Sequence, residues 1–85
     1  MTTPPTKSAA KLLAHNLGRL IDAVREAEPS LTREQLAERL VPGVEPASAL
    51  SILKGYRAAK RWPRSGRLDD IARGLGVDVA ELFRP

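Results

Sequence analysis

The chain contains no cysteine, one histidine and only three aromatic residues, and its longest apolar runs are a few residues. Each absence removes a class of protein. Without cysteine there is neither a disulfide staple nor a thiolate metal site, a composition that fits a reducing interior. The lone His15, beside Asn16 on the first helix, lacks the partners a metal centre needs, so it reads as a surface or half-buried side chain. Runs this short fall far below the roughly 18 apolar residues of a membrane span, and the N-terminus has no apolar secretory core. The expectation is a soluble, cytoplasmic protein with no membrane partner. A length of 85 residues and a mass of 9.2 kDa exclude a large enzyme. They imply one small domain with a stability of roughly 5 kcal/mol.

Chemistry-bearing clusters are equally scarce. Asp69 and Asp70 are adjacent carboxylates, but no His or Cys accompanies them, and they read as acids complementing a helix N-terminus. Gly74-Leu75-Gly76 resembles the start of a nucleotide fingerprint without its strand or third glycine, and a helix cap accounts for both glycines. No catalysis, no cofactor and no small-molecule substrate is expected.

Positive charge is what the chain does have, and it is concentrated. The formal net charge is +4. Lys54, Arg57, Lys60, Arg61, Arg64 and Arg67 place six cations and no acid between positions 54 and 67, while the rest of the chain carries 8 basic and 10 acidic residues. A localised basic stripe is the footprint of a phosphate-backbone binder, or else a solvated, mobile loop.

Apolar spacing predicts five helices and no strand. Residues 1–7, with two adjacent prolines and three threonines, read as a disordered lead-in, and residues 8–85 as one domain. Leu13, Leu17, Leu20 and Val24, widened by Leu12 and Ile21, form the stripe of a first helix that starts near Ser8 and ends at Pro29. Gly18 marks either a close helix crossing or a tolerated glycine. Thr32 and Gln35 form a capping box, with Leu31 and Leu36 as its hydrophobic staple, and open a second helix carrying Leu36, Ala37 and Leu40 inward. Pro42-Gly43 turns the chain. Pro46 then opens a third helix with Ala49, Ile52 and Leu53 inward, which either breaks near Gly55, the reading adopted, or continues towards Arg61. Ser65 caps a fourth helix with Leu68, Ile71, Ala72 and Leu75 inward, closed by Gly76. Asp78 with Glu81 repeats the capping box, and Val77 with Leu82 the staple, for a last short helix.

Leu31 to Leu40, Gly43-Val44, Ile52, Gly55 and the tail Ile71 to Phe83 resemble the helix-turn-helix domain of the phage repressor and Cro (XRE) family over about residues 10 to 84. The resemblance implies an all-α, five-helix lambda-repressor-like fold that binds double-stranded DNA as a transcriptional regulator, a Cro-like or immunity-type repressor acting as a homodimer. The third helix would enter the major groove while the second helix and adjoining loops hold phosphates. Phosphate contacts then fall to Arg33, Lys54, Tyr56, Arg57, Lys60, Arg61 and Arg64, and base-edge contacts to Ala47, Ser48 and Ser51. Arg33 stands where the family usually has a glutamine. Val41 and Pro42 extend the turn, Leu53 replaces a frequent glutamate, and the stretch from Gly55 to Ile71 is longer than usual. None of Glu45, Pro46, Ala47, Ser48 and Ser51 is an Arg, Asn or Gln able to make bidentate base contacts. Trp62 serves either as a wedge against DNA or, the favoured reading, as an anchor for its loop. Leu82 and Phe83 are either a dimer contact or the completion of the core. The alternative function is a protein-interaction module, such as an antitoxin or adapter, that keeps the fold.

Overall fold

In the computed structural model, which describes residues 7–85, four α-helices are followed by one 3₁₀ turn: α1 (Lys7–Ala27), α2 (Arg33–Leu40), α3 (Pro46–Arg57), α4 (Ser65–Leu75) and the turn Val79–Phe83. No strand occurs among the described residues. The expected lead-in lies outside them apart from Lys7, which already belongs to α1. The chain is all-helical as the spacing predicts, but its last element is not an α-helix. Asp78 makes no side-chain cap bond there. Glu81 instead pairs with Arg84 at 3.2 Å, so the second capping box does not close. What holds the segment is burial of Leu82 and a bond from the other end of the chain, where Asn16 on α1, only 2% exposed, donates its amide to the carbonyls of Leu82 (3.1 Å) and Arg84 (2.8 Å). A buried amide left without partners would cost about 1–3 kcal/mol, so this bond fastens the tail to α1.

The start of α2 forms as its sequence dictates. The backbone N–H of Gln35 donates to Thr32 Oγ1 (3.1 Å), and the N–H of Thr32 donates to Gln35 Oε1 (2.9 Å). Leu36 is buried and Leu31 packs against the core beside it. Just before this cap, Glu28 and Arg39 form an exposed ion pair at 2.8 Å. The hydrogen bond from Arg39, then its charge, holds the Glu28 carboxyl below the usual carboxylate range.

Helix ends explain two departures from the sequence reading. The third helix does not break at Gly55; it runs to Arg57 and ends in a Schellman motif, with Ala59 N–H bonded to the Tyr56 carbonyl (3.1 Å) and Lys60 N–H to that of Gly55 (2.9 Å). Ala59 takes the left-handed position at φ 58°. Gly55 serves close packing instead, since a Cβ there would strike Cδ of Arg61 and lie 2.8 Å from its Cγ. The fourth helix begins at Ser65, with extended Arg64 as the cap residue, whose carbonyl accepts from Arg67 (2.8 Å) and Leu68 (3.2 Å). Ser65 is therefore the first helical residue and not the cap. Asp69 and Asp70 fall beyond the first turn, so they do not complement the helix N-terminus as expected. Gly76 ends α4 with the same motif, at φ 74°.

One core joins the elements. Leu13, Leu17, Leu20 and Ile21 of α1 meet Leu36, Ala37, Leu40 and Val41, then Ala49, Leu53 and Tyr56 of α3, Ile71, Ala72 and Leu75 of α4, and Leu82. Ile52, expected inward, is only half-buried, and Tyr56 takes the third inward position in its place. Two mid-helix glycines have opposite roles. A Cβ on Gly74 would lie 2.6 Å from the carbonyl oxygen of Arg39 and 2.6 Å from Leu40 Cδ2, so Gly74 is where α4 crosses α2, not a second cap residue. No helix crosses at Gly18: the nearest atoms to a Cβ there are the Arg57 guanidinium nitrogens, at 3.8 and 3.9 Å. Alanine fits that space, so Gly18→Ala is expected to raise stability by about 0.5–1 kcal/mol, read from urea unfolding midpoints. An unchanged or lower midpoint would show that the Arg57 guanidinium cannot accommodate a methyl group.

Candidate nucleic-acid interface

Helical phase divides α3 into two working faces. At about 100° per residue, Ala49, Leu53 and Tyr56 share the buried side, whereas Ala47, Leu50, Ser51 and Lys54 share an arc directed away from it. That outward arc lines a groove of about 560 Å³, completed by the last turns of α1 and the first turn of α2. Buried Ile21, Leu36 and Leu53 supply the apolar floor. Arg25, Arg33, Lys54 and Arg57 contribute four cations to the lining, against the two carboxylates of Asp22 and Glu34. None of the four cations takes part in an ion pair among the described residues. An unpaired cluster of this kind leaves its donors and charge available to an anionic partner.

The local sequence accounts for this placement. The Thr32 capping box fixes where α2 starts, which puts Arg33 at its first, exposed position with Leu36 beneath. Pro46 sets the start of α3 and hence its phase. The α1 stripe that buries Ile21 also carries Arg25 to the groove edge, one turn further along.

Of the residues singled out from sequence, Arg33, Ala47, Ser51, Lys54 and Arg57 come together at this groove. Ser48 is exposed on the flank of α3 and does not line it. Tyr56 is 6% exposed and its ring belongs to the core, because it lies three residues beyond Leu53 on the inward face. Lys60, Arg61 and Arg64 are exposed on the segment joining α3 to α4, with the Arg61 stem laid across Gly55. Arg67 is half-buried, and its Nη1 is buried without a hydrogen-bond partner among the described residues.

The connecting segment is pinned at its centre. Pro63 is fully buried, and the half-buried Trp62 ring packs at 5.8 Å and 40° against Phe83. Trp62 is thus a loop anchor. Leu82 is 0% exposed and belongs to the core, while Phe83 is half-buried against Trp62.

Sequence reasoning missed Leu50 and Arg25. Leu50 was legible, because it falls three residues after Ala47 and four before Lys54, both helical same-face spacings. Arg25 carried no local signal, since its place at the groove depends on how α1 packs against α3. Compared with protein-family models, with curated proteins and with solved structures, the chain finds no match.

Proposed function

We propose that the chain is a double-stranded-DNA-binding transcriptional regulator in which α2, the turn and α3 act as a helix-turn-helix. It works as a small Cro-like or immunity-type repressor, binding as a homodimer. The observation that carries this reading is the meeting of Arg33, from the start of α2, with the outward arc of α3 and the cations Lys54 and Arg57 around one groove. A duplex is the partner whose charge repeats along a surface: one phosphate every 1.7 Å or so of helix axis, matched by cations from separate elements. The exposed Lys60, Arg61 and Arg64 extend that cationic surface beyond α3. The dimer contact is assigned to surface other than Leu82, whose burial in the core keeps it from a partner.

The test is a footprinting and shift assay on duplex DNA surrounding the chain's own coding region, titrated from low to physiological salt against random competitor. Two protected half-sites about one helical turn apart, with affinity falling steeply as salt rises, are expected. Shallow salt dependence or no binding overturns the reading and turns to the protein-interaction alternative. Within the same assay, Arg61→Glu with Arg64→Glu should weaken binding more than tenfold at fixed salt. Neither side chain shows an ion pair among the described residues, so binding equal to the parent would remove the connecting segment from the interface.

A further inference from the structure

The outward arc of α3 is unusual for what it does not carry. Ala47 and Leu50 are apolar and Ser51 offers one hydroxyl, so Lys54 is the one side chain on the arc able to grip a base edge with two bonds, and then only at guanine. Leu50 lies at the edge of this set nearest Leu53, half-buried beside the groove. Part of its side chain packs against the core and the remainder borders the groove. Among the groups displayed in the major groove, the one apolar feature is the 5-methyl group of thymine, which side chains recognise by contact alone. The surrounding charge selects the same occupant, since four unpaired cations outnumber the two carboxylates and suit a phosphate-flanked surface.

Resting on the DNA reading above, we infer that Ala47 and Leu50 read thymine methyl groups, with Leu50 the principal specificity-determining residue. The chain then discriminates sites by where thymines fall, while Arg25, Arg33, Lys54 and Arg57 supply affinity without reading sequence. Division of labour of this kind makes a direct statement about DNA chemistry: removing a methyl group must weaken binding although every hydrogen-bonding edge and every phosphate stays in place.

The experiment uses the full chain and the tightest-binding duplex recovered from a random-sequence pool. Each thymine is replaced in turn by deoxyuridine, which lacks only the methyl group. Binding is expected to fall roughly fourfold at each contacted position, the effect of one methyl-sized apolar group returned to water. The slope of affinity against salt should not change, because no phosphate contact is lost. Leu50→Ala should abolish the deoxyuridine effect at one position or more, and thymines outside the protected region should show none. Tight, salt-dependent binding that is indifferent to deoxyuridine, or an effect that persists unchanged in Leu50→Ala, overturns the methyl readout while leaving the DNA reading intact. Failure of every duplex in the pool to bind overturns both. The deoxyuridine comparison itself is made in the DNA, so that arm does not depend on how a variant folds.

Discussion

Arg33→Glu combined with Lys54→Glu should weaken duplex binding by about a hundredfold at fixed salt. A charge-assisted contact contributes about 1.5 kcal/mol or more, so losing two amounts to roughly 3 kcal/mol. The slope of log affinity against log salt should also become shallower by about two, one for each phosphate contact removed. These two side chains are the decisive pair because they reach the groove from different helices, one from the first position of α2 and one from the last turn of α3. Both are exposed and neither is ion-paired among the described residues, so the thermal midpoint should move little. Loss of binding with an unchanged midpoint and a shallower slope assigns the groove to phosphate. A variant that binds like the parent removes α2 and α3 from the interface together, and with them the proposed helix-turn-helix.

Two kinds of cation are separated by this comparison. Arg33 and Lys54 are held on helices whose starts are fixed by a capping box and by Pro46, so their positions relative to the outward arc of α3 follow from backbone geometry. Lys60, Arg61 and Arg64 ride on a segment held by the Schellman turn at one end and by Trp62 and Pro63 at its centre. On the proposed DNA reading, cations placed by helices would set register and cations on the segment would add long-range attraction. The expected effects scale accordingly, with about a hundredfold for the first pair and more than tenfold for the second.

Elements with complete local signals were readable from the sequence alone. Thr32 with Gln35 placed the start of α2, Pro46 that of α3, and Gly76 the end of α4, because each of these signals acts within one turn of chain. What failed were the features decided by distant packing. Gly55 reads as a helix stop because glycine so often is one, yet here its missing side chain admits the Arg61 stem, and the actual stop falls on Ala59, which carries no stop signal. Asp78 and Glu81 satisfy the capping-box pattern, but Glu81 finds Arg84 and the segment closes as a 3₁₀ turn tied down by Asn16, 66 residues away from Leu82 in sequence. The candidate site divides the same way. Arg33, Ala47, Ser51, Lys54 and Arg57 were legible from the motif, Leu50 from helical phase, and Arg25 only from the packing of α1. The burial of Tyr56 and Leu82 was not legible, because an apolar or aromatic residue near a surface motif looks the same in sequence whether it faces out or in.

Packing of this long-range kind is what Gly74→Ala measures. The substitution is expected to lower stability by about 2 kcal/mol, which for a domain near 5 kcal/mol is a large share and corresponds to a fall in melting temperature of roughly 8–16 °C. Helix propensity alone argues the opposite sign, because alanine is favoured over glycine within a helix by up to about 1 kcal/mol. At Gly74 that gain is outweighed. The new Cβ would lie 2.6 Å from the Arg39 carbonyl oxygen, and backbone cannot rotate aside as a flexible side chain does. Accommodation therefore has to come from α2 moving away from α4. Because α2 also carries Arg33 to the groove, the displacement should appear a second time as weaker duplex binding at temperatures where the variant remains folded. Gly18→Ala is the internal control, the same chemical change in another helix but with only the Arg57 guanidinium at ordinary contact distance. Opposite signs for the two glycines would isolate the α2–α4 crossing as the source of the loss. A gain at both positions would mean that propensity dominates at both, and that α2 is not held in place by its approach to Gly74.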